Sequence, residues 1–175
     1  MFINGRWLTC VDNLLSPELC ASLIESLDAG EKLEHIERGD MASYSRNMLV
    51  DADLAAQLYE VIKPLLPREI TTTGCNAHFR FSKYKPGEEF KTHRDGINQD
   101  ARGHRAKYTV NIFLNADFEG GSTEFFDETG KSQFDARPAV GRGMVFDNQI
   151  LHCGNKVTVG HKYLLRTDVM VADGL

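Results

Sequence analysis

Two kinds of apolar spacing divide the chain. Toward the N-terminus, Leu19, Leu23, Ile24 and Leu27 recur at helical intervals, and Leu54, Leu58, Val61, Ile62 and Leu65 do so again. The first run follows Ser16-Pro17-Glu18, a helix start: serine can cap free N–H groups, proline suits the first turn, and glutamate favours the positive end of the helix dipole. Gly30 marks its expected end, and Pro64 and Pro67 help to end the second helix. Trp7 to Leu15 reads as an opening strand or extended segment, and Glu31 to Asn47, with little periodicity, as a loop or irregular strand.

From Thr71 the pattern changes to short runs bounded by turn residues. Phe79–Tyr84 and Glu89–Asp95 are expected strands around the turn Lys85-Pro86-Gly87. Gly96–Lys107 is polar and reads as a mobile loop placed to close over a substrate. Tyr108–Leu114 is the clearest buried strand, and Asn115–Gly121 is a turn with paired glycines. Thr123–Phe126, Gln133–Ala136, Gly143–Phe146 and Lys162–Val171 complete the set. Helices followed by many short strands predict a mostly β protein, a jelly roll backed by N-terminal helices.

Length and composition fit that picture. With 175 residues the chain suits one domain, residues 1–175, with a real core. The formal charge of −5 supplies no global field toward nucleic acid or membrane, and no apolar run approaches the ~20 residues of a membrane span. The cysteines, Cys10, Cys20, Cys75 and Cys153, show no C-x-x-C spacing and read as reduced thiols. No signal peptide is evident, so a cytoplasmic protein is expected. Composition leaves the oligomeric state open.

The chemistry centres on His93-Arg94-Asp95. Residues i and i+2 of a strand share a face, so His93 and Asp95 can approach one ion while Arg94 points away. With His152 downstream they make two histidines and one carboxylate, the facial set of non-haem Fe(II) oxygenases, whose open positions can take other ligands.

Several further motifs occur in order: Tyr84-Lys85-Pro86-Gly87 with Phe90 and His93-x-Asp95-Gly96; Asn111-Ile112-Phe113-Leu114-Asn115; Phe118-Glu119-Gly120-Gly121-Ser122-Thr123; Gly141-Arg142-Gly143-Met144-Val145-Phe146; and His152-x-Gly154-x-x-Val157-x-x-Gly160-x-Lys162-Tyr163. This set, over roughly residues 79 to 171, resembles the prolyl 4-hydroxylase-like branch of the Fe(II)/2-oxoglutarate dioxygenases. The resemblance implies a double-stranded β-helix, Fe(II), 2-oxoglutarate and O2. It also implies hydroxylation of a C–H bond with release of succinate and CO2.

On the same resemblance, Lys162 stands where the family places the cation for the far carboxylate of 2-oxoglutarate. Arg166 lies on the same strand face and is the alternative, since arginine matches a carboxylate in geometry. Tyr84 occupies a position where the family often has a tyrosine near the co-substrate. Thr109 and Asn111 share a face with Phe113 and would need polar partners if that face is inward, 2-oxoglutarate among them. Some relatives carry a tyrosine near Phe113, and this chain does not. For the primary substrate, Arg46 and Asn47 sit where the family lines its pocket. Arg80 shares a face with Tyr84, where it could hold a carboxylate or phosphate. That leaves an amino acid, a peptidyl side chain and a small metabolite open as substrate. Two other classes compete: a zinc-dependent hydrolase or cupin-like metalloenzyme, and a non-catalytic binding module on the same fold. Inward Lys162 and Arg166 argue against the first, an intact triad against the second. A nucleic-acid repair oxygenase would share the chemistry, but no phosphate-binding stripe is evident.

Overall fold

The computed structural model describes residues 1–28 and 33–172. A short hairpin, β1 (Phe2–Ile3) and β2 (Arg6–Val11), leads into α1 (Pro17–Asp28). The expected cap forms there, with the Ser16 hydroxyl accepting from the Leu19 N–H at 3.2 Å. The helix end expected at Gly30 lies outside the described residues.

The stretch expected to be loop or irregular strand contains an ordered antiparallel hairpin, β3 (Glu34–Glu37) with β4 (Ser43–Val50). The second helix, α2 (Ala52–Ile62), is capped by Asp51, whose carboxylate accepts from the Leu54 N–H at 2.8 Å. Leu54, Leu58 and Ile62 are buried, whereas Val61 and Leu65 are exposed. The apolar stripe is therefore narrower than its sequence suggests, and a short 3-10 turn at Lys63–Leu65 carries Leu65 off it.

The remaining strands are β5 (Thr72–Cys75), β6 (His78–Tyr84), β7 (Phe90–His93), β8 (Arg105–Phe113), β9 (Glu119–Gly120), β10 (Thr123–Phe126), β11 (Ser132–Ala136), β12 (Gly143–Asp147), β13 (Leu151–Gly154), β14 (Val157–Val159) and β15 (Lys162–Val171). Four of them, β5, β9, β13 and β14, were not expected. Each is only two to four residues long, too short to show a period.

A large sheet runs β1-β2-β12-β8-β15-β6-β4-β3, with β5 also paired to β15. A small sheet runs β11-β10-β13-β7, and β9 pairs with β14. Every pairing is antiparallel. Strand alternation sorts the large sheet into two faces. Phe79, Phe81, Val110, Ile112 and Leu165 pack against Leu23 and Leu27 of α1 and Leu54, Leu58 and Ile62 of α2. Phe113, Met144, Phe146 and Leu164 face the other way and meet Phe125 and Ala136 of the small sheet. The result is the expected jelly roll, two facing sheets with helices behind the larger one. Among the described residues no helix is long and apolar enough to cross a membrane.

Candidate active site

One part of the space between the sheets is filled by the apolar cluster just described. Another is an open cavity of about 290 Å³. Antiparallel register sets His152 on β13 directly opposite His93 on β7, so two neighbouring strands present both imidazoles side by side. Their ring centroids lie 4.4 Å apart. Asp95 joins them from just beyond the strand. The strand expected to run to Asp95 stops at His93, and the Asp95 N–H turns to the Asn148 carbonyl at 2.9 Å. Ligand atoms of His93, Asp95 and His152 all lie within 4.8 Å of one another, and Asp95 stands 3.6 Å from Nε2 of each histidine.

The arrangement suits a divalent ion. His93 Nδ1 lies 2.7 Å from the Lys91 carbonyl and His152 Nδ1 lies 2.9 Å from the Ile150 carbonyl. A carbonyl only accepts, so each Nδ1 carries the proton and each Nε2 keeps a free lone pair. Burial pulls the His152 imidazolium down to about 4, which keeps it neutral near pH 7. Burial alone would raise the Asp95 carboxyl; Arg166, His93, His152 and Thr109 outweigh it and hold Asp95 ionised, well below the usual carboxylate range.

Behind the triad, the inner face of the large sheet supplies the wall. Register places Lys162 beside Tyr84, Leu164 beside Ser82, and Arg166 between Arg80 and Asn111. Lys162 is 1% exposed, with Nζ 5.1 Å from the Tyr84 ring centroid and 5.3 Å from that of Phe113. Among the described residues it has no ion-pair partner, and burial pulls its ammonium down to about 7. The Gly120-Gly121 turn makes room for it. Gly121 has φ +62°, and a Cβ there would sit 3.2 Å from Lys162 Cδ and 2.7 Å from the Phe118 ring.

Arg166 is placed differently. Its Nη2 reaches Asp95 and Asp168, each at 3.2 Å, so its charge is already matched by two carboxylates. Thr109 is likewise committed, its hydroxyl donating to Asp95 Oδ2 at 2.6 Å, and it does not line the cavity. Both residues, expected near the co-substrate, bond Asp95, and Arg166 also lines the cavity. Asn111 does face the cavity and is 6% exposed, with its Oδ1 lacking a hydrogen-bond partner.

Adjacent residues on a strand cannot share a face, and this separates the expected pair Arg46 and Asn47. Arg46 borders the cavity and bonds Glu34 at 2.8 Å. Asn47 turns to α1, where its amide donates to the Leu27 carbonyl at 3.3 Å, and it does not line the cavity. Arg80 faces the same cavity as Tyr84, as the alternation requires. Arg94, expected to point away, bonds Glu128 at 2.5 Å and the Gln149 carbonyl, yet still borders the cavity mouth.

The loop expected to be mobile carries internal hydrogen bonds. Asp100 Oδ1 accepts from the N–H groups of Arg102 and His104, both at 2.9 Å, and Asn98 Nδ2 donates to Asp168 at 2.9 Å. Several polar residues there bond one another, while Arg102 stays exposed. The sequence reading missed Tyr44, which stacks between Tyr84 (centroids 5.2 Å) and Phe90 (5.9 Å), Phe90 in turn lying 3.9 Å from His93. Tyr44 lies in the stretch with no clear period. It missed Asp168 too, although i, i+2 spacing from Arg166 offered the signal.

Comparison with known proteins identifies this arrangement. Residues 79–167 match the family model described as the 2OG-Fe(II) oxygenase superfamily. The chain belongs to that superfamily. As an oxygenase of this family it depends on Fe(II), 2-oxoglutarate and O2, and the triad and the jelly roll are what that chemistry requires.

Among solved structures, a prolyl-4-hydroxylase of Pseudomonas putida is similar in fold, with TM-score 0.71 and 16% identity over 97% of this chain and 94% of that one. A viral collagen prolyl hydroxylase of Paramecium bursaria Chlorella virus 1, solved with 2-oxoglutarate, gives 0.64 and 18% over 98% and 100%. A Trichoplax adhaerens prolyl hydroxylase, solved with a hypoxia inducible factor peptide fragment, gives 0.75 and 14% over 94% and 83%. No curated protein matches the sequence.

Proposed function

We propose that this oxygenase hydroxylates a C–H bond of a small-molecule or peptidyl substrate. One atom of O2 would enter that bond and the other would enter succinate, with CO2 released from 2-oxoglutarate. His93, Asp95 and His152 hold Fe(II), and Lys162 holds the far carboxylate of 2-oxoglutarate, with Asn111 and Tyr84 lining the same pocket. The bound metal supplies the open coordination positions on which the keto acid and O2 meet. The protein's own residues do the rest. The two Nδ1–H groups fix the imidazoles, Thr109 and Arg166 fix the carboxylate, and the aromatic wall of Tyr84, Tyr44 and Phe90 keeps water from the metal side.

One observation carries the reading: a buried ammonium without an anionic partner shares a cavity with the triad. A zinc hydrolase has no use for such a charge. A diacid that chelates a metal at one end and meets the ammonium at the other accounts for both. The test is anaerobic binding of Fe(II) and 2-oxoglutarate, followed by succinate release in oxygen. Wild type should bind 2-oxoglutarate tightly only when metal is present, and His152→Ala should lose both metal binding and turnover. Metal-independent binding of 2-oxoglutarate, or turnover by His152→Ala, would sink the assignment.

We read residues 1–175 as one oxygenase unit. The cysteines are all unpaired, which supports a reducing compartment such as the cytoplasm.

A further inference from the structure

The charge around the cavity exceeds what 2-oxoglutarate needs. Arg38, Arg46, Arg80, Arg94, Arg166 and Lys162 line it, against a single carboxylate among the described residues, Asp95, in a protein whose net charge is −5. Some of these cations are neutralised within the fold. Arg94 bonds Glu128, and Arg166 bonds Asp95 and Asp168. Arg46 bonds Glu34, an exposed partner, and its Nε is buried without any.

Like Lys162, Arg80 has no such partner among the described residues. Its polar contact is to a neutral group, Asn98 Oδ1 at 3.2 Å, and among the described residues no carboxylate lies within ion-pair distance. Burial and the nearby Arg166 charge act against its guanidinium, while Asp168 and Asp95 favour it from beyond ion-pair distance, so it is a partly buried cation without a direct counter-ion.

Position separates Arg80 from the co-substrate's cation. Register sets Arg80 opposite Arg166, and Lys162 lies four residues away along β15, about 13 Å at strand spacing. A five-carbon diacid spans roughly 5 Å between its terminal carbons, given C–C bonds near 1.5 Å. At that backbone spacing, a diacid seated on Lys162 and reaching the triad is not expected to satisfy Arg80 as well. The cavity therefore has two cationic poles, and a second anion is needed for the other one. Arg46 lies beside Ser82, one step toward β4, and Arg38 stands at the rim on the turn between β3 and β4.

We propose that the primary substrate is a small oxyanion whose carboxylate or phosphate docks on Arg80, flanked by Arg46 and Arg38, so that its C–H bond lies over the face formed by His93, Asp95 and His152. The proposal rests on the oxygenase reading above and narrows its substrate class. A neutral peptide side chain would leave Arg80 without a counter-ion, whereas an anion satisfies it and gains a charge-assisted, two-pronged contact.

The test uses the intact protein loaded with Mn(II) and 2-oxoglutarate without oxygen. Calorimetry measures binding of three matched sets: L-amino acids and short dicarboxylates; the same compounds as primary amides; and glycerol phosphate beside glycerol. Succinate release with Fe(II) and O2 is then read for the same compounds. Members of one acid set should bind and stimulate turnover at least tenfold better than their neutral partners. A preference for the first set assigns a carboxylate, and a preference for glycerol phosphate assigns a phosphate ester.

Arg80→Ala should raise the Kd and KM of the preferred acid by 10- to 100-fold with the KM for 2-oxoglutarate within twofold, and Arg80→Lys should recover part of the loss. Lys131→Ala, on an exposed turn, controls for total charge. Equal responses to acids and neutral partners, including no response to either, overturn the proposal. A loss of 2-oxoglutarate affinity in Arg80→Ala overturns it too, by placing Arg80 on the co-substrate. Failure of the oxygenase reading looks different: Mn(II)-dependent binding of 2-oxoglutarate would itself be missing.

Discussion

On the outer face of the large sheet, Phe79, Phe81, Val110, Ile112 and Leu165 close against α1 and α2. On the inner face, their immediate neighbours Arg80, Ser82, Asn111, Leu164 and Arg166 front the cavity. The same strands build both surfaces, one residue apart. The outer face is mostly apolar, its polar residues Lys83, Asn47 and Thr167 bond within the fold, and its contacts are complete without a ligand. The inner face holds a lysine without a counter-ion, an arginine whose contact is neutral, and an asparagine oxygen with no partner. Stability is concentrated on one side of each strand, and unmet binding capacity on the other.

Substitutions on the two faces should therefore separate folding from function. The largest loss of stability is expected at Phe81→Ala, about 3–5 kcal/mol by chemical denaturation, because a fully buried ring leaves a cavity against the helices. Metal affinity of the folded fraction should be unchanged.

Lys162→Met should behave in the opposite way. It removes a buried charge that has no partner, so the melting temperature of the ligand-free protein should rise or hold. Binding of 2-oxoglutarate should weaken by about 2–5 kcal/mol, measured anaerobically with metal present. If Lys162→Met lowers stability and leaves 2-oxoglutarate affinity intact, the division between the faces fails.

Thr109→Val is next in size. It keeps the shape of a buried residue and removes the hydroxyl that orients Asp95, so metal affinity should fall about 10- to 100-fold.

A pH series sharpens the same contrast. With the Lys162 ammonium pulled down to about 7 in the empty cavity, a dicarboxylate that needs the charged form must bring a proton with it. Affinity for 2-oxoglutarate should then be flat just below pH 7 and fall above it, by up to about tenfold per pH unit. Lys162→Met should abolish that slope between pH 7 and 9. The smallest effect is expected at Asn47→Ala, which should cost about 1 kcal/mol or less and leave every KM unchanged, since its amide bonds Leu27 behind the sheet.

Much of this division was legible in the sequence. The alternation Phe79-Arg80-Phe81-Ser82 states both faces of β6, and the spacing of His93, Asp95 and His152 within an ordered set of motifs pointed to the metal centre. The limits have physical causes. Lys162 and Arg166 share a strand face, so periodicity could not rank them; the difference lies in Asp95 and Asp168, which hold Arg166 and leave Lys162 free. Thr109 was read as a possible co-substrate contact because a chain pattern cannot show that Asp95, fourteen residues earlier, folds back onto its hydroxyl. β4 was read only as loop or irregular strand because one of its faces meets the helix and the other the charged cavity, which blurs any apolar rhythm. The pairing of Arg46 with Asn47 failed on the same alternation that succeeded at β6.

The contacts that orient His93 and His152 come from main-chain carbonyls two residues earlier on each chain segment. Every amino acid carries that carbonyl. A side-chain partner could be removed by a single codon change, but at positions 91 and 150 no replacement deletes the acceptor, provided the strand keeps its path. The imidazoles are thus insulated from mutational drift in their neighbours. Over evolutionary time the walls of the cavity are free to change, and with them the substrate, while the two rings stay aimed at the same point.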